Sequence, residues 1–583
     1  MAEFNLIDEE WIPCITLDGC SKEFGIRDTL LKAHELREIC DDSPLVTVSI
    51  HRLILAILYR ALQGPTSMPQ WKALFARGSF NGKKSITEYL DKDKCYDRFF
   101  LFDDDHPFMQ VAMLDLNEYE YADDGNIKKI KKNKSDGLMR LAREAPDKGG
   151  RVLFDHRVGT ERPEYEPRQI ARMILAVQSY AGTGVASGGK IDDQMINPTP
   201  CQFAPCVDGL CLWLQGENLF QTLIFNLVPS PIDLNDLPAW EDSNVIKSAK
   251  NSWENPIAFV GPIQRLAPLS RFIRVLDRRS MFFTNGLKTI ADAEDPMKAY
   301  LRSSDKDQFT PVELRKDKAA WRDAHTLFSL ASTIRKPPDS LNHVARLFHD
   351  GTLSAKPRAN VVGLATAQGK SLLWRHERIP VPTGILGSVD MTERLAVLIS
   401  EAEAVGCELS RGLFWSATTK KTIRTEPVGR IQMIADFVLA PSLELRDNGI
   451  IRTIDGRFPD DAHNASCLSL SDNLDPRPAY WARMEKHFFD LLENLPGDWD
   501  QSAGDWKPDD QQLATRTWRD AIKQEAKRAL KESIRSLGTT ARAISAVARV
   551  QTDFSDDDLK PQPPKAKTAK QQSKSTRKGG KKK

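Results

Sequence analysis

An α+β fold is predicted for this chain: a large mixed N-terminal domain over residues 1–388, a C-terminal four-helix bundle over 389–553, and a disordered lysine-rich tail over 554–583. Three observations predict it. Up to about residue 388, short apolar stretches alternate with Pro and Gly loops, without the regular strand–helix alternation of a parallel α/β fold. From about residue 390 the apolar positions recur at helical spacing. Residues 560–583 carry nine lysines and Arg577 with no acid, a composition that cannot bury a core. At 583 residues the chain is also too long for one ordinary core.

The elements follow in order. Residues 4–13 read as a short strand or hairpin arm anchored by Leu6, Ile7, Trp11 and Ile12. Residues 45–62 have helical periodicity through Val48, His51, Leu53, Ile54, Ile57 and Leu58. A short element ends in Phe99-Phe100-Leu101-Phe102, and Asp105-His106-Pro107-Phe108 reads as a turn. The polar stretch 120–150 contains Lys128-Lys129-Ile130-Lys131-Lys132-Asn133-Lys134 and reads as an exposed, mobile insertion, solvated or in contact with phosphate. Residues 168–180 form a helix with Ile170, Met173, Ile174 and Val177 on one face, and the glycine-rich 181–190 follows. Residues 210–214 and 219–228 are apolar, with a turn at Gly216-Glu217-Asn218. In 361–375 an apolar run leads to a small polar tip at Gln368-Gly369-Lys370, after which 372–374 can return to the core. That pattern is a hairpin: either a plain surface loop, or a polar wedge able to press on something flat such as stacked base pairs. The expected bundle helices are marked by Leu395, Leu398, Ile399 and Ala402; by Ile431, Ile434, Ala435 and Val438; by Tyr480, Met484, Phe488 and Leu491; and by Leu513 through Leu537, with a break at Gly538.

Charge and cysteine usage narrow the function classes. The formal charge is +2, from 82 basic and 80 acidic residues. Without the ten cations of the tail, 72 basic residues face 80 acidic ones, so the remainder carries about −8. The tail attracts nucleic-acid phosphate in a nonspecific, salt-dependent way. Any nucleic-acid contact on the body must use local patches. Nine scattered cysteines suit a reducing compartment, and Cys201, Cys206 and Cys211 read as buried or semi-buried thiols rather than zinc ligands. No apolar run is read as approaching the roughly 18–20 residues of a membrane span, and the acidic start lacks a signal-peptide apolar region. A cytoplasmic location without a membrane partner is expected.

Gly184-Val185-Ala186-Ser187-Gly188-Gly189-Lys190 satisfies GxxxxGK, but Ile191 stands where a magnesium-binding loop needs Ser or Thr, and a helix precedes it. NTPase chemistry is excluded on that ground. What remains is a glycine-rich loop, either plain surface or able to bring backbone N–H groups against a phosphate or groove edge. The ten histidines form no HExxH, and His349-Asp350 lacks partner ligands. No catalytic residue, metal or cofactor is expected.

Taken in order, these stretches resemble the large, CasA-type subunit of the type I-E CRISPR surveillance complex, Cascade, over most of residues 4 to about 550. The resemblance is carried by Phe4-Asn5-Leu6-Ile7-Asp8 with Trp11-Ile12-Pro13, Asp105-His106-Pro107-Phe108-Met109-Gln110 and Leu153-Phe154-Asp155-His156-Arg157. It continues through the 182–189 loop, Gln215-Gly216-Glu217-Asn218-Leu219-Phe220-Gln221-Thr222-Leu223, Asp295-Pro296-Met297-Lys298-Ala299-Tyr300, residues 364–378 and the helical C-terminal part.

The resemblance implies a noncatalytic DNA reader of antiviral defence. The family reads a protospacer-adjacent motif (PAM) through the minor groove with a glycine loop, here Gly182, Thr183, Gly184, Ser187, Gly188 and Gly189. A glutamine wedge opens the duplex, and Ala367, Gln368, Gly369 and Lys370 fall at its place. A basic finger enters the groove; Arg278 and Arg279 lie at the expected position, with Lys288 the alternative and a structural ion pair the other role for the arginines. Phe154, Asp155 and His156 match the loop that docks near the guide RNA (crRNA), and Lys523, Lys527, Arg528, Lys531 and Arg535 would meet phosphates on the helical bundle. Implied partners are crRNA, other Cascade subunits, duplex target DNA and the effector helicase–nuclease. The alternative is a scaffold that holds nucleic acid nonspecifically through its tail.

Overall fold

The computed structural model describes residues 3–560 except 92, 122–126, 143–161, 186, 192–193, 197–199, 208, 291–293, 303–307, 316–317, 329–332, 354–356, 368–369, 383, 387, 410–412, 417–420, 425–429, 432–433, 435–442, 447–449, 454–472, 549 and 551–552. The chain divides into two compact units, Met1–Thr392 and Glu393–Lys583. Helix and strand are mixed in both.

The first unit is organised around the helix Pro44–Leu62, which is apolar on all sides and nearly all buried. Ser43 caps its start, accepting from the Val46 N–H, and Pro44 occupies the first turn, where its missing N–H costs nothing. By length and composition this helix could cross a membrane, which corrects the expectation that no such run exists, yet 89% of its apolar window is buried in protein. Its all-round apolarity is that of a core helix. Of its two arginines, Arg60 in the last turn is part-exposed and pairs with Glu241 at 2.7 Å, whereas Arg52 is buried: 1% exposed, it pairs with Asp295 at 2.8 Å and donates to the carbonyls of Leu266 and Arg265. A buried guanidinium persists only when it is paired and its donors are filled.

The helix Pro167–Tyr180 buries Ile170, Met173, Ile174 and Val177, as its spacing predicts. Around these helices the described strands form small antiparallel sheets. The largest pairing is the hairpin Arg358–Ala367 with Lys370–Pro380, flanked by Leu210–Gln215. Its middle strand is buried on both faces from Ala359 to Ala365. At Gly363 a Cβ would stand 2.7 Å from Leu314 Cβ and 2.8 Å from Leu210 Cδ2, so the backbone approaches its neighbours as only glycine permits.

The lysine-rich stretch is not a structureless insertion. Glu118–Tyr121 pairs with Ile127–Lys132, setting Glu120 opposite Lys129 and Glu118 opposite Lys132. Opposite charges facing each other across a ladder favour that pairing, and Lys128, Lys129 and Lys134 all reach carboxylates of the facing strand.

From Val389 onward, the helices Val389–Leu409, which runs across the boundary at Thr392 into the second unit, Arg477–Asn494 and Leu513–Arg535 stand where three of the four expected helices were placed. Of the other, Ile431 and Ile434 are helical and buried, whereas Ala435 and Val438 lie outside the described residues. Gly538, at φ +75°, ends the long helix, and Ala541–Ala548 follows. Two hairpins were not foreseen: Leu413–Ser416 with Lys421–Arg424, and Leu443–Arg446 with Ile450–Thr453. Their Ile, Thr and aromatic content suits a pleated strand, and a reading tuned to 3.6-residue periodicity passes over it. The unit is therefore not purely a helical bundle.

Within it Trp518 donates to the Leu398 carbonyl at 2.9 Å, and Tyr480 donates to that of Ala402 at 3.1 Å. Asp498, 2% exposed, accepts from the N–H groups of Ala514 and Thr515 at 3.0 and 2.8 Å, placing a carboxylate on the positive end of the Leu513–Arg535 helix. The segment expected to begin a disordered tail at residue 554 is ordered up to 560, where Phe554 and Leu559 are buried and Asp556–Leu559 forms a 3₁₀ turn. Residues 561–583 lie outside the described residues.

Candidate nucleic-acid interface

The glycine-rich stretch is held between strands. Gly184–Val185 pairs with Pro200–Cys201, while Gly189–Ile191 pairs with Gln194–Ile196 on one side and Leu114–Asp115 on the other. Lys190 thus stands on a strand, where a phosphate-binding loop would begin a helix. A Cβ at Gly189 would fall 2.4 Å from the Asp115 carbonyl oxygen, so only glycine lets these two backbones meet. Thr183, Gly184 and Ser187 remain exposed, Gly182 and Gly189 are half-buried, and Gly188 is buried.

Arg271 organises this segment, and the sequence offered no cue to it beyond one arginine in the apolar run Leu269-Ser270-Arg271-Phe272-Ile273. Its side chain is 1% exposed and donates to the carbonyls of Ser270 (2.6 Å), Gly182 (2.7 Å) and Gln202. Its backbone is clamped by Gln178, which accepts from the Arg271 N–H at 2.9 Å and donates to the Arg271 carbonyl at 2.8 Å. Gln202 in turn bridges to the backbone of Thr289, donating at 2.9 Å and accepting at 2.8 Å. A second tie comes from Thr284, whose hydroxyl donates to the Ser187 carbonyl at 2.7 Å. Lys134 donates to the Gly188 carbonyl at 3.4 Å.

Arg271 and Thr284 belong to the two strands of one hairpin, Arg271–Val275 with Ser280–Asn285, and the candidate finger residues form its turn. Arg278 and Arg279 are both exposed there. Arg279 pairs with Glu164 at 2.8 Å, as the structural alternative foresaw, whereas Arg278 makes no side-chain ion pair among the described residues. The Arg278 carbonyl accepts from Tyr165 N–H at 2.9 Å and that of Arg279 from Leu138 N–H at 3.2 Å, which fixes the turn backbone. Lys288 lies beyond the second strand, half-buried, its N–H donating to the Ser252 hydroxyl at 2.8 Å. The structure therefore joins the glycine segment by direct hydrogen bonds to the strands of the hairpin that carries the arginine turn, and leaves Lys288 apart from that turn.

The wedge candidates belong to a different sheet. Ala367 and Lys370 form the last backbone pair of the Arg358–Pro380 hairpin. Gln368 and Gly369 lie outside the described residues, as do Phe154, Asp155 and His156. Close to the tip Trp374 is 38% exposed, which corrects the expectation that it returns to the core. Its strand, Lys370–Pro380, lies at the edge of the described sheet, whereas its cross-strand partner Leu364, on the middle strand, is 3% exposed. Farther down, the stem carries a polar network. Asn360, 1% exposed, donates to Gln215 at 3.1 Å and meets His376 Nε2 at 2.8 Å; Gln215 and Arg378 both reach Glu38 at 2.9 Å. Burial, with Arg378 adding to it, pushes the His376 imidazole down to about 4, so at neutral pH it is an uncharged partner of the amide.

On the second unit, Lys523 pairs with Asp556 at 2.7 Å, Lys527 with Asp553, and Arg528 with Glu532 at 3.4 Å, while Lys531 and Arg535 are exposed. Cys206 and Cys211 are buried thiols and Cys201 is half-buried. Among the described residues, no group of three or more His, Cys, Asp or Glu side chains is placed to hold a metal ion.

The family described as CRISPR-associated protein Cse1 matches this chain over residues 5–529. The CRISPR-associated protein CasA/Cse1 of Thermus thermophilus is 28% identical over 570 residues, covering 95% of this chain and 97% of that protein. The crystal structure of CasA from Thermus thermophilus superposes with a TM-score of 0.69 at 26% identity, over 94% of this chain and 97% of its own. A chain of a CRISPR RNA-guided surveillance complex shares the fold at a TM-score of 0.64 and 15% identity, over 94% of this chain and 99% of that one.

Proposed function

The chain belongs to the CRISPR-associated Cse1 family, and from that premise we propose that it is the noncatalytic large subunit of an RNA-guided type I-E surveillance complex in the cytoplasm. In that role it assembles with crRNA and the other Cascade subunits, recognises a PAM in duplex DNA and wedges the adjoining base pairs apart to start an R-loop. It also helps to recruit the effector helicase–nuclease.

One observation supports the reading: a glycine-rich segment exposed at Thr183, Gly184 and Ser187 is tied through Arg271 and Thr284 to the hairpin that bears the exposed arginine turn. The minor groove is narrow, negative in potential and lined mainly by acceptors. A glycine-rich backbone can lie close along it, and Arg278, which makes no side-chain ion pair among the described residues, can extend a cation into it. Because both stand on one hydrogen-bonded frame, their spacing is set before DNA arrives. The Arg358–Pro380 hairpin supplies a stem whose last backbone pair, Ala367 with Lys370, flanks Gln368 in the sequence. Unstacking a base step costs a few kcal/mol. Guide pairing replaces the lost duplex pairing at near balance, so a short wedge is enough to tip nucleation.

The test uses the complex assembled with crRNA and a duplex library randomised at the motif. Arg278→Ala should flatten the motif preference. Gln368→Ala with Gly369→Asp should slow R-loop formation while assembly stays intact. Wild-type motif selection and R-loop rates in both variants would overturn the assignment.

A further inference from the structure

The helix Leu513–Arg535 carries a cation at every fourth position from Arg519: Arg519, Lys523, Lys527, Lys531 and Arg535. At 1.5 Å per residue, neighbours in this row stand about 6 Å apart along the axis, so one extended phosphate backbone can meet several of them. Arg519 is held by both oxygens of Glu401, at 3.0 and 2.7 Å. Lys531 and Arg535 are exposed. The two lysines between them meet carboxylates that come from the segment after the helices: Asp556 on Lys523 at 2.7 Å and Asp553 on Lys527.

That segment has an anchor and a labile part. Phe554 and Leu559 are 9% and 5% exposed, and the Arg430 guanidinium lies 3.8 Å over the Phe554 ring and 2.8 Å from Asp558. Ser555 closes the turn by donating to Asp558 from N–H and hydroxyl at 2.7 and 3.0 Å. The side chains of Asp553 and Asp556 are instead 66% and 82% exposed. Exposed pairs of this kind are weak and exchange readily with other anions.

Resting on the reading of the chain as a nucleic-acid-binding subunit, we infer that Asp553 and Asp556 occupy the places of two nucleic-acid phosphates on Lys523 and Lys527. They give way when a strand lies along the helix, while the Phe554–Arg430 anchor keeps the segment beside it. The acidic segment thus masks the cationic row and weakens casual binding. A phosphate backbone that brings several anions at once displaces two monovalent carboxylates, whereas a short or distant one does not.

The experiment measures fluorescence anisotropy of a labelled, mixed-sequence single-stranded DNA with the full chain, across a salt series. Circular dichroism checks that each variant is folded. Asp553→Asn/Asp556→Asn should bind several-fold tighter, and the equal-charge control Glu485→Gln/Glu493→Gln should change affinity far less. Lys523→Ala/Lys527→Ala should remove the gain and lower the log–log salt slope by about 1.4, two contacts at about 0.7 each. An equal gain in the control overturns the masking, because bulk charge then accounts for it. If the Asp variant is unchanged while the Lys variant weakens binding, the masking falls and the phosphate contacts stand. If the Lys variant changes nothing in either background, the phosphate reading of this helix falls, and the inference with it.

Discussion

Replacing Arg271 with Met tests whether the glycine segment is positioned from beneath. The side chain makes three short hydrogen bonds to carbonyls, two of which belong to separate stretches at Gly182 and Gln202. Hydrogen bonds from a charged donor are worth about 1.5–3 kcal/mol each, so the gross loss is roughly 4.5–9 kcal/mol. Burying a guanidinium costs several kcal/mol, and Met no longer bears that cost while filling similar space. The net destabilisation is therefore about 2–4 kcal/mol. Arg271→Lys, which keeps the charge and loses the planar fork, should fall between wild type and Met. Thermal unfolding of the full chain measures this part. Hydrogen exchange at residues 182–184 measures the local part, which should rise well beyond the global change. PAM discrimination by the assembled complex should fall with it. A variant as stable as wild type, or one destabilised with unchanged exchange at 182–184 and unchanged motif selection, would refute the reasoning.

Two further outcomes concern stability. His51 packs against Trp213 with ring centroids 5.3 Å apart, and burial pushes its imidazole from 6.5 down to about 4. The unfolded chain then binds more protons than the folded one between those values, so stability is full above about pH 6.5 and falls as pH drops towards 4, by about 2 kcal/mol at pH 5 from this residue. Urea midpoints at pH 7 and pH 5 should converge in His51→Phe relative to wild type; an unchanged gap would remove the assignment. Asp498→Ala should destabilise the second unit by about 1–2 kcal/mol, because two buried N–H groups at the start of the Leu513–Arg535 helix lose their acceptor. Asp498→Asn should recover part of it, and denaturant unfolding followed by tryptophan fluorescence reads both.

The legible parts of this protein are those whose signal is local. Apolar residues spaced for one face marked Pro167–Tyr180, Arg477–Asn494 and Leu513–Arg535, and the order of short motifs along the chain pointed to the family. The sheets were less legible. Leu210–Gln215 takes its partner from Arg358–Ala367, well over a hundred residues away, and nothing in either stretch names the other. The lysine run looked solvated because the glutamates that pair with it sit on a facing strand, outside any window that reads charge along the chain. Trp374 looked like a core residue by type, yet on the edge strand of its sheet it is 38% exposed.

Composition, periodicity and motif order by themselves determined the α+β class, the long helices and a glycine stretch unfit for nucleotide hydrolysis. These follow from backbone sterics and side-chain chemistry within a few residues. Tertiary structure alone decided which groups act together. It hydrogen-bonded the Arg271 guanidinium to the Gly182 carbonyl, paired Arg279 with Glu164 while exposing Arg278, and laid Asp553 and Asp556 on Lys527 and Lys523. Each of these depends on where burial brings distant chain segments, and the strength of a charge or hydrogen bond is set by that burial.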